Sequence, residues 1–274
     1  MASYQHRTIV VGDIKTHFLE AGSGPDLVLL HGGEYGASAE ITWRSNIEAL
    51  AGNFHVVAPD LLGWGQTDKI YSFSDPAGIR IKHLQKFLET LGISKAFFVG
   101  NSAGGGVILR AVVRHPAPFQ ILKMVTICGN ASVFKTTAQA DLDNYTPSIE
   151  NMKKIVTLLY HDPKWQTEQN IRERYESSII PGAWETLSAA RLRSPAHQVR
   201  STTEEFIKQL SQLDIPLLIM SCEHDPLNQR DWDVNFQKIV PGSKAHRFMK
   251  SAHEPQIEER EEFNRVLTEF LLGG

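Results

Sequence analysis

Short apolar runs alternate with longer segments of helical period along most of this 274-residue chain. That is the pattern of a parallel sheet whose strands are joined by crossover helices. Thr8 to Val11 and Ile14 to Glu20 read as an opening antiparallel pair around Gly12-Asp13. Leu27 to Leu30, Phe54 to Ala58, Lys95 to Gly100, Lys123 to Cys128 and Pro216 to Ser221 read as buried strands, and Ala245 to Met249 as the last. Ala103 to His115 has helical period directly after a strand, and Pro255 to Leu272 is expected to form a C-terminal helix.

Between Ala131 and about Leu210 the strand signals stop, and the chain becomes charged, helical and punctuated by Pro147, Pro163, Pro181 and Pro195. A stretch this long has to be structured, because loops beyond roughly 12–15 residues are uncommon. The expectation is a core made of residues 1–132 and 211–274, with residues 133–210 as a helical lid over the strand ends.

Composition narrows the function. A net charge of −3 offers no cationic footprint for nucleic acid. No stretch approaches the roughly 18 apolar residues of a membrane span, and the N-terminus lacks the apolar run of a signal peptide. Two isolated cysteines, Cys128 and Cys222, build no disulfide framework and fit no zinc spacing. The reading is a cytoplasmic protein with no nucleic-acid or membrane partner and no metal.

Val99-Gly100-Asn101-Ser102-Ala103-Gly104-Gly105 places a serine between a buried strand and a helix. Gly-x-Ser-x-Gly in that context is a nucleophile elbow, a tight turn that lifts the hydroxyl above the sheet. A phosphate-cradling loop is the competing use of such a turn, but the Gly-x-Gly-x-x-Gly spacing and a following Lys-Ser or Lys-Thr pair are both missing.

A serine needs a base, and the base needs an orienting acid. Among eleven histidines, His253 lies after the last strand and before the last helix, where a short loop can carry an imidazole over the serine. His224 abuts the candidate acid and is poorly placed to bridge acid and serine. Asp225 follows a buried strand at its carboxyl end, where the sites of open α/β sheets lie. Glu223 is the alternative acid, and Asp60 is read as capping a turn. The order Ser102, Asp225, His253 is the serine, acid, histidine order of the α/β-hydrolase arrangement. The Ala103 N–H at the helix start and the Gly33 N–H in the His31-Gly32-Gly33-Glu34 turn are the expected oxyanion donors. Glu34 opposes an oxyanion there unless its side chain points outward.

With these residues, the chain resembles the α/β-hydrolase superfamily over essentially its whole length, on Leu30-His31-Gly32-Gly33, Ala58-Pro59-Asp60-Leu61-Leu62-Gly63-Trp64-Gly65, the serine elbow, Asp225 and His253. The resemblance implies a mostly parallel eight-stranded sheet flanked by helices, with the lid inserted after strand 6. Within the superfamily the chain is most similar to the meta-cleavage-product hydrolases, on His31-Gly32-Gly33 with Gly36-Ala37-Ser38, on Asn101, and on Leu158-Leu159-Tyr160-His161-Asp162-Pro163 leading to Arg174-Tyr175-Glu176. That likeness implies hydrolysis of a carbon–carbon bond in a 2-hydroxy-6-oxo-2,4-dienoate, with no cofactor or metal, by a homodimer or larger homo-oligomer. It further implies that Arg174 anchors the substrate carboxylate and that Gly32, Asn101 and Ser45 contact substrate. Arg172, Arg191 and Arg193 compete for the anchoring role. Two positions depart from the family: Glu254 stands where a tryptophan follows the catalytic histidine, and Trp43-Arg44-Ser45 where Trp-Ser-Asn is usual.

The competing expectations are a carboxylesterase or lactonase with the same triad, and a hydrolase-like receptor that binds a small ligand under the lid. Trp64, Trp165, Trp184, Phe134 and Tyr145 are candidate pocket aromatics.

Overall fold

The structure is a computed structural model, and it describes residues 4–134, 136–192 and 203–273. Arg193, Pro195 and His197 lie outside the described residues. Eight strands form one sheet in the order β1-β2-β4-β3-β5-β6-β7-β8. They are β1 (Gln5–Val11), β2 (Ile14–Ala21), β3 (Asp26–Leu30), β4 (His55–Pro59), β5 (Lys95–Asn101), β6 (Gln120–Ile127), β7 (Leu217–Cys222) and β8 (Lys244–Phe248). β2 runs antiparallel to β1 and β4, and every pair from β4 through β8 is parallel.

The central strands are buried on both faces, which is why they read as continuous apolar runs. Alternate side chains serve opposite cores. Val28 and Leu30 of β3 join one apolar cluster with Phe98 and Met124, while Leu27 and Leu29 join the other with Phe97 and Val125. The edge strands carry charge: β8 exposes Lys244 and pairs Arg247 with Asp233, which discourages edge-to-edge association.

Helices α1 (Ala39–Trp43) and α2 (Ile47–Leu50) follow β3, and α3 (Pro76–Thr90) precedes β5. Asp75 starts α3, its carboxylate accepting the Gly78 N–H at 2.9 Å with Pro76 in the first turn. α4 (Ala103–Val112) follows the elbow. Between β6 and β7 run α5 (Gln139–Asp143), α6 (Ile149–Leu159), α7 (Glu168–Ser178), α8 (Ala183–Ser188) and α9 (Thr203–Leu210). Several of these pack around a third apolar cluster that includes Tyr145, Met152, Val156 and Leu159. α10 (Trp232–Ile239) joins β7 to β8.

The C-terminal segment is two helices, α11 (Pro255–Glu258) and α12 (Arg260–Leu272), rather than the one expected. The break at Glu259 goes with the contacts that the Glu258 and Glu259 carboxylates make. Glu258 accepts the backbone N–H groups of Ala252, His161 and Asp162, and Glu259 accepts Lys250 N–H and the Ser251 hydroxyl. Both carboxylates thus turn back onto the loop that holds His253 and onto the end of α6. Among the described residues no helix is long and apolar enough to cross a membrane.

Candidate active site

Ser102 sits at the junction of β5 and α4 with φ 48° and ψ −110°, a left-handed conformation that a serine adopts only under constraint. Its N–H donates to Ile127 O at 2.7 Å and its carbonyl accepts from Gly106 N–H at 3.0 Å, so both sides of the turn are tied down. Small residues make the approach possible. A Cβ on Gly104 would lie 2.5 Å from Leu30 O, and one on Gly129 would lie 2.6 Å from Ser102 O.

His253 is brought over the elbow from the other end of the sheet. Its Nδ1 lies 3.0 Å from the Asp225 carboxylate, its N–H donates to Leu159 O at 2.9 Å, and its carbonyl accepts from Asn101 Nδ2 at 3.1 Å. Asp225 also accepts the Leu227 N–H at 2.9 Å and Asn228 Nδ2 at 2.7 Å. Burial pushes the Asp225 carboxyl up, but His253 and these donors outweigh it and hold the group below its ordinary value. Burial likewise opposes charge on His253, yet the Asp225 carboxylate raises its pKa well above the usual histidine value. With Nδ1 held by Asp225, Nε2 is the nitrogen left for proton exchange.

A cavity of about 580 Å³ opens at this point, its walls including Gly33, Glu34, Trp64, Ser102, Ala103 and His253. Gly33 and Ala103 face one another closely: a Cβ on Gly33 would meet the Ala103 Cβ at 2.6 Å. His31 braces this turn, with Nε2 accepting the Leu61 N–H at 2.9 Å and Nδ1 therefore donating to Gly32 O at 2.6 Å. Burial pushes the His31 pKa down, consistent with that neutral tautomer. Asp60 accepts Ala39 and Gln66 N–H groups at 2.7 and 2.8 Å, binding the loops around the turn together.

The rival triad residues lie elsewhere. Glu223 is exposed and paired with Arg247 at 3.3 Å, and the His224 ring stacks on His161 at 3.7 Å.

The expected carboxylate anchor, Arg174, sits in an internal ion cluster. Its side chain is 1% exposed and is absent from the cavity wall; it donates to Glu34 at 2.7 Å, to Glu254 at 2.6 Å and to the Tyr160 hydroxyl at 2.8 Å. Burial works against this guanidinium, and Glu254 and Glu34 hold it charged. Glu34 accordingly points inward, not outward, and its charge is met by Arg174. Burial raises the Glu254 carboxyl, against the pull of Arg174. The other three expected substrate contacts also stand apart from the cavity wall. Ser45 is in the turn between α1 and α2, Gly32 is hemmed in by Glu34 and Asn101, and Asn101 donates Nδ2 to the His253 and Ile127 carbonyls while its Oδ1 is buried without a hydrogen-bond partner among the described residues. Of the candidate aromatics only Trp64 lines the cavity, while Tyr145, Trp165 and Trp184 pack within the helical insertion and Phe134 against the core.

Sequence reasoning passed over Asn228, which links Asp225, Cys128 O and Asn130 in one buried network. Its signal was its place three residues after the acid, in the same turn. Cys128 also lines the cavity, with its sulfur 3.6 Å from that of Cys222. Among the described residues, Cys128, Asp225 and His253 are the one group whose donor atoms are close enough to share a metal ion. The Asp225 oxygens there already accept hydrogen bonds from Leu227, Asn228 and His253.

A serine on a strained elbow, beside an acid-paired histidine and at the carboxyl ends of parallel strands, defines the serine-hydrolase type of α/β fold. The chain belongs to the alpha/beta hydrolase family, whose model matches residues 27–266. It is 26% identical over 266 residues to a 2-hydroxy-6-oxo-2,4-heptadienoate hydrolase of Pseudomonas putida, covering 97% of this chain and 95% of that one. It is 27% identical to a 2-hydroxymuconate semialdehyde hydrolase of a Pseudomonas species, covering 97% and 93%. Among solved structures it resembles a meta-cleavage product hydrolase of Pseudomonas fluorescens, a Ser-to-Ala mutant complexed with acetates, with TM-score 0.85, 30% identity and 97% of each chain covered.

Proposed function

We propose that this chain is a serine-dependent hydrolase that cleaves a carbon–carbon bond in a 2-hydroxy-6-oxo-2,4-dienoate. The reading rests on one cavity wall that holds both Ser102 and His253, with Asp225 behind the histidine. Near-full-length likeness to relatives named for that chemistry supports it.

The residues fit the steps as follows. Ketonisation moves a proton from the 2-hydroxyl to C5. Ser102 Oγ then attacks the C6 ketone while His253 Nε2 takes the hydroxyl proton, and the negative charge on the C6 oxygen faces the N–H groups of Gly33 and Ala103. The C5–C6 bond breaks, its electron pair leaves with the dienoate fragment, and His253 returns the proton there. Water, deprotonated by the same histidine, hydrolyses the Ser102 ester and releases the carboxylic acid. Asn101 and Leu159 act on position, by fixing the His253 backbone.

A second reading, a carboxylesterase or lactonase, is favoured by the Arg174 cluster, because the charge of that guanidinium is already offset by two carboxylates. The test is spectrophotometric. Wild type and Ser102→Ala are compared on a phenyl- and an alkyl-substituted dienoate and on p-nitrophenyl butyrate. Dienoate bleaching that disappears in the variant supports carbon–carbon cleavage; butyrate turnover alone supports the ester reading. A cytoplasmic, homo-oligomeric enzyme is the accompanying inference, and its subunit number is measured by light scattering.

A further inference from the structure

The cavity wall carries both signs of charge, with Glu34, Asp75 and Asp143 beside Arg80 and Arg110. On the side of His253, Glu34 and Glu254 share Arg174, so the cluster carries a charge of minus one, or zero with Glu254 protonated. In neither state does it present spare positive charge, and an anionic substrate group is repelled or ignored there.

Another part of the wall comes from α3 and α4. Pro76, Ala77 and Arg80 lie on one face of α3, and Ala103, Gly106, Val107 and Arg110 follow the i, i+3, i+4, i+7 spacing on α4. Arg110 is satisfied by neutral groups, donating to Ala131 O at 2.7 Å and Gly106 O at 3.3 Å with its guanidinium 5.7 Å from the Phe206 ring centre. Arg80 lies with its guanidinium 4.5 Å from the Trp64 ring centre, and among the described residues no carboxylate is within 4.0 Å of it. Burial pushes its pKa down to about 10, with Tyr71 opposing and Arg110 assisting the shift. The acids of this region have other work. Asp75 caps α3 and lies 3.9 Å from Arg114, and Asp143 accepts from Gln139 at 3.4 Å.

We propose that Arg80, flanked by Arg110, is the carboxylate-binding residue of this cavity and sets its preference for anionic substrates. A planar guanidinium backed by an indole and lacking an internal acid is suited to bidentate capture of a carboxylate. A half-buried cation without a counter-charge within 4.0 Å is partly desolvated, and an incoming anion offsets that cost. The assignment takes up the hydrolase reading above but does not require the carbon–carbon bond to be the one cut.

The test therefore uses esters. Wild type, Arg80→Met and Arg80→Lys are assayed on the p-nitrophenyl hemiester of glutaric acid, which is anionic, and on p-nitrophenyl butyrate, which is neutral. Arg80→Met is expected to lower the hemiester-to-butyrate ratio of kcat/KM by about 10- to 100-fold, mostly through KM. Arg80→Lys, which keeps the charge, is expected to recover part of the ratio. An unchanged ratio, or equal loss on both esters in Arg80→Met, would mean that Arg80 only supports Trp64, and the proposal would be overturned. Dienoate bleaching by wild type is scored separately. Its failure beside an Arg80-dependent hemiester preference would remove the carbon–carbon reading and leave the anion subsite in place.

Discussion

Arg174 and Glu254 meet at 2.6 Å with no more than 1% of either side chain exposed. This pair, with Glu34 on the other guanidinium nitrogen, makes Arg174 a member of an internal ion cluster.

The cluster predicts a stability effect. Arg174→Met leaves two buried carboxylates without their cation and is expected to destabilise the fold by roughly 3–5 kcal/mol. Adding Glu34→Leu and Glu254→Leu removes the stranded charges and restores most of that loss. Urea denaturation followed by circular dichroism measures both, and an unshifted midpoint in Arg174→Met would contradict the ion cluster.

The His253–Asp225 pair predicts pH behaviour. Burial disfavours the imidazolium, but Asp225 raises the His253 pKa well above its ordinary value. The base must be neutral, so kcat/KM for p-nitrophenyl butyrate should fall on the acid side with a midpoint above about 6.5. The same raised pKa contributes stability that is complete below about pH 6.5, the unfolded value, and is lost as pH rises through the folded value. Activity and this share of stability run in opposite directions across that window. A wild-type acid limb centred below pH 6.5 would contradict the pairing.

Asn228 gives Asp225 Oδ2 a donor at 2.7 Å besides His253. Asn228→Ala should cost about 10- to 100-fold in kcat with little change in KM, since a hydrogen bond to a charged group is worth roughly 1.5–3 kcal/mol. It should also move the acid limb of the pH profile, because the carboxylate that acts on His253 has changed. A KM effect with an unmoved limb would assign Asn228 to substrate contact instead.

Gly129 lies against the elbow. In Gly129→Ala the new methyl meets Ser102 O at 2.6 Å, and a displacement of the nucleophile by about 1 Å is expected to cost on the order of 10²-fold in kcat. Native circular dichroism combined with full activity would show that the elbow tolerates the added carbon.

The sequence by itself determined the strands of the sheet and marked Ser102, Asp225 and His253 as candidates. Leu27 to Leu30 reads as a strand buried on both faces between turn residues, and Ser102, Asp225 and His253 follow strands whose carboxyl ends lie at one edge of a parallel sheet. These are local signals, set by backbone period and turn chemistry. Tertiary structure decided the rest. Arg174 finds Glu34 140 residues away and Glu254 80 residues away, and nothing in its own Arg-Tyr-Glu setting encodes that the guanidinium is already satisfied. The split of the C-terminal helix goes with N–H groups that Glu258 meets in the His253 loop and at the end of α6. Whether Arg80 faces a cavity or solvent depends on how α3 packs beside α4. Charge partners and cavity walls are fixed by contacts between distant segments, and such contacts have no period along the chain.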